Sequence, residues 1–176
     1  AGESGVGKTP FVRALHALAD VSRGRWLQGE CYAEGGAPYA AFDQAFAAAF
    51  TYPALRAAVP RWITAELVRL APSLRSQVPD LPVDPSKADP SRLVESVVAA
   101  CEAIIDTGRG RNPPPSPLML VIEDAQWADS AALALMRSLA RRARSGRLKL
   151  LIVLTFRESE LSEAPGIRDL VLDLTR

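Results

Sequence analysis

Leu118–Ile122 (LMLVI) is a run of apolar residues with no polar alternation. Its length suits a strand, and the missing alternation suits a parallel strand covered on both faces. Leu148–Phe156 (LKLLIVLTF) reads as another such strand, and Arg25–Gly29 (RWLQG) as a short third. Amphipathic helices separate them. Leu93/Val94, Val97/Val98, Cys101 and Ile104/Ile105 trace one that starts at Ser91. Phe42, Phe46, Ala49 and Phe50 recur at helical spacing and are expected in the core, as are Trp62, Leu67 and Leu70 on a helix near Arg61–Leu70. Phe11, Leu15 and Leu18 form one apolar stripe over residues 10–20. Asp129 is placed to cap a helix running to about Arg144 and ended by Gly146, and Ile167, Leu170 and Leu174 align over Gly166–Arg176. Strands alternating with helices predict a three-layer α/β fold with a mainly parallel sheet. Ligands of such sheets bind at the carboxyl ends of the strands.

Two proline-rich stretches interrupt this pattern. Prolines at 72, 79, 82, 85 and 90 exclude a regular element over 72–90, and TGRGRNPPPSP marks a second loop over 107–117. A length of 176 residues, 48% of them hydrophobic and 23% charged, fits one globular domain and argues against wholesale disorder. With 21 basic against 20 acidic residues there is no global field to draw in nucleic acid or an anionic membrane. No apolar run approaches the roughly 20 residues of a membrane-spanning helix. Cys31 and Cys101 are too far apart for a C-x-x-C pair, so a reducing cytoplasm and inert buried thiols are expected.

The chemistry concentrates in three places. Gly2-Glu3-Ser4-Gly5-Val6-Gly7-Lys8-Thr9 fits G-x-x-x-x-G-K-[ST]. Its glycines let the backbone wrap a phosphate so that successive N–H groups point inward, and the helix that follows aims its positive end at the same point. Lys8 is expected to reach the β and γ phosphates of a nucleotide and the Thr9 hydroxyl to ligate Mg²⁺. Pro10 is tolerated in the first turn but removes one donor. Glu123 and Asp124 end the buried strand, where adjacent carboxylates call for a cation. Glu123 is the expected metal ligand, and Asp124 the group that positions or deprotonates water. Thr155 and Arg157 follow the apolar stretch Leu148–Leu154, where an arginine could read a γ-phosphate. His16 lies on the polar side of its helix and Arg141, Arg142, Arg144 and Arg147 cluster at a helix C-terminus; both read as surface features.

GESGVGKT, GECYAEGGAPYAAF, LMLVIEDAQWAD and LTFRESEL, in that order, resemble STAND-type ATPases, a signal-transduction branch of the AAA+ P-loop proteins. The likeness is greatest to the ATPase module of large bacterial LuxR-type transcriptional regulators and of multidomain cyclases and kinases. It implies residues 2–10 as the nucleotide cradle, Thr9 and Glu123 as the Mg²⁺ side, and Asp124, Lys8 and Arg157 as the catalytic set. Glu123 and Asp124 stand in the reverse of the superfamily's usual acidic order, and slow hydrolysis used as a switch timer is the expected activity. The resemblance also implies that residues 1–176 are a partial domain whose first strand and helical lid lie outside them. Its expected partners are ATP or ADP, sensor or DNA-binding domains of a parent protein, and copies of itself in a nucleotide-dependent oligomer, with no direct nucleic-acid or membrane contact. Two other readings compete: an interaction module keeping a degenerate nucleotide site, and a P-loop kinase for a small molecule.

Overall fold

The computed structural model describes residues 7–22, 24–34, 36–81, 90–107 and 118–175. Strands β1 (Arg25–Glu30), β2 (Leu118–Glu123) and β3 (Leu150–Leu154) form one parallel sheet in the order β1-β2-β3. Helices α1 (Lys8–Val21), α2 (Ala40–Phe50), α3 (Pro53–Ala58), α4 (Arg61–Leu70), α5 (Pro90–Asp106), α6 (Ser130–Arg144) and α7 (Pro165–Thr175) complete the architecture. β2 is the central strand, and its first five residues are all buried.

Register divides the sheet into two faces. Leu27, Leu120 and Ile152 align across the strands, as do Gln28, Val121 and Val153. Leu27, Leu118, Leu120 and Ile122 join one continuous core with Phe42, Phe46 and Phe50 of α2, Val97, Cys101 and Ile104 of α5, and Leu135 and Leu139 of α6. Met119 and Val121 are buried apart from that core, on the face where His16 of α1 sits edge-on to Trp26, the partner of Met119. The layers are therefore α1, sheet, and the remaining core helices. The three phenylalanines are core residues, as their spacing implies.

Close packing fixes how α2 meets the sheet. A Cβ built on Gly29 would lie 1.8 Å from the carbonyl oxygen of Ala41. Only glycine lets the helix start press this near the strand. At the other end, Asp129 caps α6 by accepting from the N–H groups of Ala131 and Ala132, each at 2.9 Å. Its second oxygen accepts from the Tyr39 N–H at 2.9 Å, just before α2.

Several expectations need correction. Phe11 and Leu18 are 58% and 60% exposed, and α1 instead buries Val12 and Ala19. A three-stranded sheet offers α1 little area, so its contact is a narrow line of small side chains beside the bulkier stripe. Trp62 is 65% exposed because α4 turns Ile63, Thr64, Leu67, Val68 and Leu70 inward. Pro72 does not exclude structure: it opens a 3-10 helix over Pro72–Gln77, where a first-turn proline lacks nothing. The last strand is shorter than its apolar run because Leu150 donates back to Leu148 in a tight turn. Residues 82–89 and 108–117, the centres of both proline-rich stretches, lie outside the described residues. Arg141, Arg144 and Arg147 are exposed, as their spacing implies, with Arg142 paired to Glu95 of α5 and Arg144 donating to the Asp173 carbonyl of α7 at 3.2 Å.

Gly29→Ala should lower stability by about 3 kcal/mol or more, since backbone must move to admit the methyl group. Asp129→Ala should cost about 1 kcal/mol from the lost cap, and more if the Tyr39 N–H is left unpaired. Urea unfolding followed by circular dichroism measures both, and a midpoint equal to wild type would contradict either one.

Candidate functional site

The carboxyl ends of the three strands and the amino end of α1 meet around one cavity. Gly7 opens it with φ +93°, a left-handed conformation that favours glycine, and accepts the first helical bond from Phe11 at 2.9 Å. Lys8, Thr9 and Pro10 form the first turn of α1, so Pro10 falls where an N–H has no helical partner anyway. The cavity measures about 270 Å³ and is lined by Gly7 to Pro10, Glu30, Glu123, Asp124, Thr155 and Arg157. Gly2, Glu3, Ser4, Gly5 and Val6 lie outside the described residues. Every other residue expected at the site lines this one space.

The acids are held by neighbours that keep them apart. Glu123 accepts from Gln28 Nε2 at 2.5 Å, and Gln28 Oε1 in turn accepts from the Trp26 indole at 2.9 Å. Asp124 adopts φ 49° and ψ 45°, a left-handed conformation that aspartate tolerates better than most residues. Its N–H donates to Thr155 Oγ1 at 3.1 Å, and the Thr155 carbonyl accepts from Ala125 at 2.8 Å. Thr155 is buried and makes these bonds from just beyond β3. It therefore clamps the sharp turn that turns the chain out of β2.

Arg157 enters from the same side. Its N–H donates to Gln126 Oε1 at 3.3 Å, its Nη1 lies 2.8 Å from Glu160 Oε1, and its Cζ sits 5.1 Å from the centre of the Trp127 ring. Cys31 is buried beside the acids. Burial chiefly, with Asp129, Asp124 and Glu30 adding repulsion, pushes its thiol up to about 12. Cys101 is likewise pushed up to about 12, by burial and then by Glu102. Neither is a thiolate near neutral pH, as expected of inert cysteines.

A larger cleft of about 660 Å³ runs along the outer edge of β1 and shares Glu30 and Glu123 with the smaller one. Lys8, Thr9 and Arg157 line only the smaller cavity of the two. Gln28, Glu30, Trp127 and Glu160 are contributors that motif reading passes over. Gln28 and Glu30 alternate with core-facing Leu27 and Gly29, and pairing of Glu30 with Glu123 across the sheet is the signal that could have found them.

Among the described residues no group of three metal-ligating side chains occurs. Mg²⁺ is commonly held by one or two carboxylates together with substrate phosphates and water. Thr9 and Glu123 supply hard oxygen donors of that kind.

Residues 1–153 match a family model described as AAA ATPase domain. No curated protein and no solved structure matches the chain. The chain belongs to the AAA ATPase domain family, a membership that points to nucleotide binding.

Proposed function

We propose that the chain binds Mg-ATP in the cavity between α1 and the strand ends and hydrolyses it slowly, as a regulatory switch of the STAND type within a larger bacterial, cytoplasmic regulator. The observation that carries this is the convergence of Lys8, Thr9, Glu123, Asp124 and Arg157 on one cavity. Lys8 supplies a positive charge where phosphates would lie, and the amino end of α1 adds its dipole. Thr9 and Glu123 would hold Mg²⁺, which when bound neutralises phosphate charge. Gln28 fixes one oxygen of Glu123 and so orients the carboxylate. Asp124 would accept a proton from water, and the Thr155 clamp fixes the backbone turn that carries it.

The short acid at Asp124 supports slow turnover. Asp124 carries a short side chain on a backbone turn, which limits how far its carboxylate extends toward a water molecule. A site that binds firmly and turns over slowly gives long-lived ATP and ADP states, which is what a switch requires. Partner domains and copies of the chain would then read those states.

Lys8→Ala should weaken Mg-ATP binding by more than about 1.5 kcal/mol, the loss of a charge-assisted phosphate contact. Isothermal titration gives the comparison, and equal affinities would remove the phosphate site from this cavity. Asp124→Asn should leave ATP bound but slow phosphate release at least about tenfold, since a base or water-orienting group contributes about 10²–10⁴. Unchanged turnover would mean that Asp124 does not handle the water.

A further inference from the structure

Arg157 lines the proposed phosphate cavity, yet its guanidinium already has two other neighbours. Glu160 Oε1 accepts from Nη1 at 2.8 Å, and the Trp127 ring lies under Cζ at 5.1 Å. These two neighbours sit on separate 3-10 turns, Ala125–Trp127 after β2 and Glu158–Glu160 after β3. We propose that Glu160 and Trp127 are specificity-determining residues: they hold Arg157 in a docked position from which a γ-phosphate must draw it, and so they set the preference between ATP and ADP. This rests on the nucleotide site proposed above.

The contact is built to be exchanged. Arg157 and Glu160 are 34% and 28% exposed, so solvent screens their attraction. Only one carboxylate oxygen receives the guanidinium, whereas an arginine fork can serve both, and the buried Glu160 Oε2 has no hydrogen-bond partner among the described residues. The main chain, by contrast, is anchored through the Gln126 bond and the Thr155 clamp. A side chain with an exchangeable tip on a fixed stem can swing between two anions without moving the strand. The docked fraction lowers the apparent affinity for any ligand that needs Arg157, and leaves one that does not need it untouched. ATP needs it and ADP does not.

Weakening the dock should therefore raise ATP affinity alone. In Glu160→Gln, binding of Mg²⁺ with a slowly hydrolysed ATP analogue should tighten about two- to fivefold, the range of a partly exposed ion pair. Mg-ADP affinity should stay as in wild type, and Glu160→Asp should give an intermediate ratio. Loss of fold would weaken both nucleotides together, so the ratio separates the dock from a merely structural role. A second readout needs no change at Glu160. The wild-type Trp127 indole resonance, assigned by its disappearance in Trp127→Phe, should shift with the analogue and stay in place with ADP. Binding of both nucleotides with an unchanged ratio in Glu160→Gln, or a Trp127 signal indifferent to which nucleotide is bound, would overturn this assignment alone. Failure of wild type to bind either nucleotide would overturn it together with the proposed function.

Discussion

A strand paired along both edges and covered on both faces can keep a charge only at its end. β2 is that strand, with β1 and β3 on its flanks and α1 opposite the main helical layer. Its apolar residues are fixed by burial, so Glu123 and Asp124 are forced to the carboxyl rim, where the amino end of α1 also arrives. Desolvation alone would make adjacent carboxylates unfavourable there. Glu123 receives an amide from Gln28, and the Lys8 cation lines the same cavity. The geometry around the acids follows from the burial of the strand that ends in them.

Thr155 shows how one side chain serves both sheet and site. It leaves β3 with its N–H bonded to Ile122 O, so the parallel pairing extends one residue past the regular strand. Its hydroxyl then reaches the Asp124 N–H and its carbonyl the Ala125 N–H. The left-handed backbone at Asp124 persists because it is tied at these adjacent points, which is how sparsely populated conformations are commonly kept at working positions.

Much of the fold was legible because it rests on periodicity. The unbroken apolar run of β2, the helical spacing of Phe42, Phe46 and Phe50, and the placement of Asp129 each follow from local pattern and reappear in the structure. Phe11, Leu18 and Trp62 did not, because a stripe records what a helix could bury and not how much surface its neighbour offers. In the site, the residues named by motif arrive in one cavity, apart from Gly2–Val6, which lie outside the described residues. Gln28 went unread for a different reason, and Trp127 and Glu160, though inside the EDAQWAD and LTFRESEL segments, carried no assigned role. Their contacts depend on strand register or on short 3-10 turns, and no spacing along the chain encodes either.

Asp129 joins two segments that are 90 positions apart, one oxygen on the amino end of α6 and the other on the residue entering α2. The two helices thus share a pivot. A tilt of α6 would act on the entry to α2 through that shared residue. Because α2 is wedged against Gly29, that motion cannot dissipate as sliding over the sheet. It would press on β1, whose Gln28 amide binds Glu123. Mechanically the molecule is a linkage that runs unbroken from α6 to Glu123.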